Sequence, residues 1–186
     1  MSCIITYTGY HIDPADPDPD NIFIEDIAHA LSLLCRGNGH VHTFWSVGQH
    51  CICCAKEAAA RGYSERMVLA CLLHDASECY MSDVPRPFKD MLPEYRKKED
   101  LLLSKIYKKF LGSDLQAEEA DQLKEIDNAM LAYDLAELLM EPYTGELPRV
   151  LVRPDYSIRP FEEVEREYLE MFGEYREKLG VSCDKL

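Results

Sequence analysis

From Ile24 onward the apolar positions recur at helical spacing. Ile24, Ile27, Ala28, Leu31 and Leu34 form one stripe, and Gly37-Asn38-Gly39 predicts its end. A second helix is predicted from Ser46 to Arg61, stopped by Gly62. Ser64 has N-cap chemistry for a third, which the pattern carries to the region of Glu78. Pro85 and Pro87 predict an extended turn after it. Three further helices are expected over Glu94 to Phe110, Ala117 to Met140 and Phe161 to Leu179. Between the last two, Gly145, Pro148 and Pro154 make 144–159 a loop with a short extended segment at Arg149–Arg153. Alternating Asp and Pro make 11–21 a solvated loop without the Gly and terminal Glu of an EF-hand. The class is all-α: a compact bundle of about six main helices. It is read as one domain over 1–186, with its motif-bearing core at 22–140 and a C-terminal helix at 161–179.

The third helix departs from amphipathic patterning. Seven uncharged positions, Met67 to Leu73, precede His74-Asp75, with Glu78 close behind. A helix apolar on every side is buried, and ending it in an imidazole and two carboxylates is costly unless they bind something. In the fifth helix Asp127 falls within the stripe Leu123, Ile126, Met130 and Leu131. Asp134, seven positions on, shares that face and competes with it on periodicity, and either carboxylate would otherwise need an N–H or Arg partner. In the second helix His50 follows Val47, and Cys54 and Ala58 continue its face. Cys51-Ile52-Cys53-Cys54 lacks a second cysteine pair at zinc-finger spacing, so these cysteines are read as packing residues, not ligands. His50, His74, Asp75 and Asp127 together offer two nitrogen and two oxygen donors. That set suits one divalent ion: Co²⁺, Mn²⁺, Zn²⁺, Fe²⁺, Ni²⁺ or Mg²⁺. Glu78, at i+4 from His74, suits proton transfer beside it.

Composition narrows the picture. The 47% hydrophobic content fits a folded globular chain. The formal charge of −14 disfavours broad binding to nucleic acid or anionic membrane, though a local basic cluster still admits a phosphate ligand. No apolar run reaches the roughly 20 residues of a membrane span, and the first residues lack signal-peptide character, so the expectation is cytoplasmic. The eight cysteines are expected reduced and mostly buried.

The ordered string Ile24-Glu25-Asp26-Ile27-Ala28-His29-Ala30-Leu31-Ser32, Cys35-Arg36, Ser46-Val47-Gly48-Gln49-His50, His74-Asp75-Ala76-Ser77-Glu78 and Ser82-Asp83-Val84-Pro85-Arg86-Pro87-Phe88-Lys89 carries a likeness. It resembles the HD superfamily of metal-dependent phosphohydrolases, in the compact branch of 5′-deoxynucleotidases and related dNTP phosphohydrolases, over residues 22–140. Gly48 and Cys51 stand where that branch has Ala and Ser. The resemblance implies that His50, His74, Asp75 and Asp127 bind the metal, the neighbouring sequence favouring Asp127 over Asp134. It further implies that Glu78 orients or activates water and that Asp83 is a second catalytic or sugar-side carboxylate. Arg36 would contact phosphate, with Lys89, His40, His42 and Arg86 as weaker candidates. From the residues alone, Arg36 could cap a helix, Asp83 serve a turn, Lys89 sit on the surface, and Phe44 and Trp45 be core aromatics.

The expected reaction is hydrolysis of phosphate from a nucleotide, a deoxyribonucleoside mono- or triphosphate, by metal-activated water. Alternatives are a modified nucleoside phosphate, a cyclic nucleotide or an alarmone as substrate, or a metal-stabilised regulatory domain without catalysis. A two-metal oxygenase-like member would need more ligands than the six histidines and visible motifs supply. The expected partner is the small nucleotide alone, without a stable nucleic-acid complex or membrane. The last helix's Val164, Tyr168, Met171, Phe172 and Tyr175 are expected to pack on the core, and the resemblance leaves a homo-oligomer open.

Overall fold

The computed structural model describes residues 3–180; the two ends of the expected 1–186 domain lie outside the described residues. Among the described residues the chain forms eight α-helices, two of them single turns, and one two-stranded hairpin. The expected all-α bundle is the observed class. β1 (Ile4–Ile5) pairs antiparallel with β2 (His11–Ile12), with Ile4 opposite Ile12. The expected solvated loop at 11–21 thus begins as a strand, and Ile12 is buried because it anchors the hairpin in the core.

α1 (Ile24–Leu33) buries Ile24, Ile27, Ala28 and Leu31. α2 (Val47–Ala60) starts from Ser46, whose hydroxyl accepts from the Gln49 N–H while the Gln49 side chain accepts from the Ser46 N–H. A Cβ on Gly48 would lie 3.2 Å from the Leu31 carbonyl carbon and oxygen, so this glycine sets how closely α1 and α2 pack. Gly62, at φ +74°, turns the chain into α3 (Glu65–Leu73), which Ser64 caps through the Met67 N–H. Met67 to Leu73 are all buried, as their pattern demands, because α2 and three later helices surround them.

α3 stops at Leu73 instead of reaching Glu78. His74 to Ser77 form a tight turn closed by i→i+3 bonds, Ala76 N–H to Leu73 O and Glu78 N–H to Asp75 O, before α4 (Glu78–Met81). The extended turn expected at Pro85 and Pro87 is α5 (Arg86–Lys89), since a proline in a first helical turn loses no hydrogen bond. α6 (Pro93–Leu111) ends at Gly112, φ +83°. α7 (Ala117–Leu138) and α8 (Phe161–Lys178) lie close to expectation. No strand forms at 149–153; there the Leu151 and Val152 N–H groups donate to Glu57 Oε2, both at 2.8 Å. Glu57 is fully buried and also takes the Arg61 Nε–H, so one carboxylate ties this loop to α2. Among the described residues the seven cysteines are free, and no helix is long and apolar enough to cross a membrane.

α8 packs on α1 and α3 through Val164, Tyr168 and Phe172. The Tyr168 hydroxyl donates to the Leu72 carbonyl at 2.6 Å, in the last turn of α3. Removing it leaves a buried carbonyl unpaired at the base of the His74 turn. Tyr168→Phe is expected to lower stability by about 1–3 kcal/mol in urea unfolding; an unchanged midpoint would show that the bond carries no net stability.

Candidate metal centre

The Ser46 capping box sets the phase of α2, and His50 and Cys54, one turn apart, are both buried. His50 Nδ1 lies 2.8 Å from Asp134 Oδ2 on α7. A carboxylate there accepts, so Nδ1 carries the hydrogen and Nε2 is the ring atom turned toward Asp127. His74 repeats the device with backbone: its Nδ1 donates to the Cys71 carbonyl at 2.8 Å. Both Nε2 atoms converge on Asp127 Oδ1, at 3.1 Å from His50 and 3.7 Å from His74. Asp75 Oδ2 lies 3.3 Å from His74 Nε2. The His50–Asp127 contact is a hydrogen bond, whereas those of His74 are ion-pair separations only, and His74 Nε2 is buried without a hydrogen-bond partner. The four expected ligands therefore meet.

Such a set fits a divalent cation. Two imidazoles with committed Nδ1 hydrogens, an orphaned Nε2 and adjoining carboxylates are what metal ligation requires. Sulfur joins them, against the reading of the cysteines as packing alone. Ligand atoms of His50, Cys54 and His74 lie within 4.8 Å of one another, as do those of Cys51, His74 and Asp75. The overlooked signal was the H-x₃-C spacing of His50 and Cys54. Asp134, weighed against Asp127 from the sequence, holds the back of His50 rather than replacing Asp127. One other participant was missed. Tyr156, from the loop between α7 and α8, donates its hydroxyl to Asp134 Oδ1 at 2.9 Å.

Arg36 follows α1 and caps no helix. Its guanidinium spans Asp75 Oδ2 at 3.3 Å and Asp134 Oδ2 at 3.5 Å. It lines a cavity of about 450 Å³ with Asp75, Glu78, Asp83, Lys89 and Asp127. Asp83 follows Ser82, at φ +73°, and accepts the Gly37 N–H at 3.0 Å. Lys89 is more enclosed than a surface lysine, bonded to Glu99 at 2.6 Å and 3.6 Å from Glu78. Arg86, more exposed, donates to Asp127 Oδ2 at 3.0 Å. His40 is exposed and does not line the cavity, while His42 turns its Nε2 to the Glu137 carbonyl. Trp45 is buried against Tyr156.

Charge is strongly coupled here. Burial alone would lower the His74 pKa, but Asp75 and Asp127 raise it well above the usual imidazole range. Burial and Arg36 oppose charge on His50, and Asp134 and Asp127 raise it on balance. Burial likewise opposes charge on Asp75, Asp127 and Asp134, yet the imidazoles and Arg36 hold Asp75 and Asp134 below the usual range, as the two imidazoles hold Asp127. Glu78 goes the other way: burial first, then Asp75 and Asp83, favour its protonated form.

No family model matches the chain. Over 110 residues it is 36% identical to the uncharacterized protein YfdR of Escherichia coli (strain K12), an alignment covering 59% of each, so it spans under two thirds of that relative. Over 155 residues it is 33% identical to the uncharacterized protein RCAP_rcc00048 of Rhodobacter capsulatus, covering 80% of this chain and 78% of the relative.

Two outcomes follow from the centre. Asp134→Asn should weaken divalent-cation affinity on the order of 10–100-fold in competition with a chromogenic chelator, since the amide no longer enforces the His50 tautomer; equal affinity would remove Asp134 from the centre. Without cation, the lowered carboxylates stabilise the fold above pH 3.8 and lose this as pH falls through their folded values. The raised imidazoles stabilise it fully below pH 6.5 and lose this as pH rises through theirs. In chelator, stability should therefore peak between about pH 4 and 6.5, and added cation should move the peak upward by displacing imidazole protons. Stability in chelator that climbs above pH 6.5 would contradict this charge assignment.

Proposed function

The chain belongs to the family of the Rhodobacter capsulatus protein RCAP_rcc00048, and we propose that it is a metal-dependent phosphohydrolase acting on nucleotides, of the HD type its motifs resemble. The observation that carries this reading is the convergence of the His50 and His74 Nε2 atoms on Asp127 Oδ1, with both Nδ1 hydrogens already committed. His50, His74, Asp75 and Asp127 would hold the cation. What a divalent ion supplies when bound is Lewis acidity toward the phosphoryl group and its attacking water.

The chain's own groups do the rest. Arg36, held between Asp75 and Asp134, presents fixed positive charge to phosphate oxygens without needing to reorganise. Lys89 adds an ammonium 3.6 Å from Glu78. Glu78 is the group that would hold or pass a proton, because burial and its acidic neighbours bring its carboxyl toward the protonated form. Asp83, with Oδ2 on the Gly37 N–H, leaves Oδ1 for a sugar hydroxyl. Val41, Val84, Leu131, Leu135, Leu138 and Leu139 give the cavity an apolar wall for the nucleoside part.

Phosphate release from deoxyribonucleoside mono- and triphosphates and their ribose counterparts should appear with Co²⁺ or Mn²⁺ and vanish with chelator. Glu78→Gln should fold and bind cation normally while release falls on the order of 10²-fold or more. Wild-type release by Glu78→Gln would remove its catalytic role, and no release from any nucleoside phosphate would favour a metal-stabilised domain without catalysis.

A further inference from the structure

The cysteines around the centre are unused by the proposed hydrolysis, and one stands apart. His50 and Cys54 are four residues apart on α2, the spacing that puts two side chains on one helical face. Cys54 Sγ lies 3.5 Å from His50 Nε2, the ring nitrogen on the side away from Asp134. Independently, His74 Nε2 is buried with no hydrogen-bond partner, and it arrives from another helix end within 4.8 Å of the other two donors. Asp127 Oδ1 lies beside both nitrogens, at 3.1 Å from His50 Nε2 and 3.7 Å from His74 Nε2. Asp75, by contrast, shares its Oδ2 with Arg36.

We propose that Cys54 is a sulfur ligand of the cation held by His50 and His74. The centre is then a mixed nitrogen, sulfur and oxygen site for borderline ions such as Zn²⁺ and Co²⁺, with Mg²⁺ excluded by its preference for oxygen. Loading breaks the Cys54 S–H bond, forms the sulfur–metal bond and releases one proton to solvent, with no change of oxidation state. In the cation-free chain the neutral thiol is accommodated as a small apolar group, so the sulfur costs the core little while it waits. Cys51 is the rival sulfur: it is also buried, and it falls in a second group with His74 and Asp75 rather than with His50.

This inference rests on the cation reading of the centre and is independent of hydrolysis. Co²⁺ titrated into the full chain separates the two. Ligand-field bands in the visible report the ion at the centre, and a thiolate-to-cobalt charge-transfer band in the near ultraviolet reports the sulfur. The native chain should show both. Cys54→Ser should keep the ligand-field bands, which also show that the variant folds around the ion, and lose the charge-transfer band. The charge-transfer band should persist in Cys51→Ser; its loss there with survival in Cys54→Ser would assign the sulfur to Cys51 and overturn the proposal. Excess Mg²⁺ should displace neither band. If Cys54→Ser does not fold, Cys54→Ala is read in its place. Ligand-field bands without charge transfer in the native chain, or charge transfer that survives loss of Cys54, overturn the sulfur ligand and leave the cation site standing. Absence of both bands overturns the cation reading as well.

Discussion

The half-buried Arg36 guanidinium is the charge on which the centre depends. It joins Asp75, just beyond α3, to Asp134 on α7, and so ties together two elements that carry or orient the candidate ligands. Two carboxylates brought this close in a low-dielectric setting would repel or take up protons. Arg36 resists that because Asp75 and Asp134 outweigh its own burial and keep it charged. The arrangement is one of mutual dependence. Removing one buried partner leaves the others uncompensated, which costs more than the pair gains by forming.

From this core the site is supported outward in layers. Asp134 receives hydrogens from His50 and Tyr156, and Tyr156 lies against Trp45 just ahead of α2. The loop bearing Tyr156 is itself anchored through Glu57, whose one oxygen accepts two consecutive backbone N–H groups. The far end of the chain contributes too, through Tyr168 and the Leu72 carbonyl at the base of the His74 turn. Side chains from widely separated segments thus fix ring orientations at the centre. Precision here comes from hydrogen bonds beyond the ligands, not from the ligands' own helices alone.

Periodicity made the long helices legible, because burying one face leaves a regular imprint in apolar positions. It also led to His50, His74 and Asp75, which interrupt or end apolar stripes, and it left Asp127 and Asp134 as competitors between which the resemblance chose. It was blind where one or two residues decide the backbone. The pattern of α3 runs straight through His74, but the chain closes i→i+3 turns from Leu73 onward and starts afresh at Glu78. Pro85 and Pro87 read as extended, yet prolines also fit a helix's first turn, and α5 uses them so. Tyr156 and Glu57 act across long sequence separations, which no local pattern records. The cysteines were discounted because each side chain looked apolar in its own helix; Cys54 meets His50 within α2, but the nearness of Cys51 and Cys54 to His74 is a property of packing between α2 and α3.

The charge of the cavity bears on what it can take. Arg36, Arg86 and Lys89 face five carboxyls, those of Asp75, Glu78, Asp83, Asp127 and Asp134. With Glu78 protonated, four carboxylates face these three bases, and in the cation-free chain the charged imidazoles paired with Asp75 and Asp127 offset them further. The positive groups are thus already paired, and a phosphate entering alone would have to break ion pairs in a partly desolvated space, where charges are poorly screened. A divalent cation among His50, His74 and Asp127 would displace imidazole protons and offer phosphate oxygens direct ligation. On the proposed reading, cation and phosphate are therefore coupled ligands, and by linkage each tightens the other's binding by the same factor. That is why the donor set, more than the basic residues beside it, is the part of this sequence that points to phosphate chemistry.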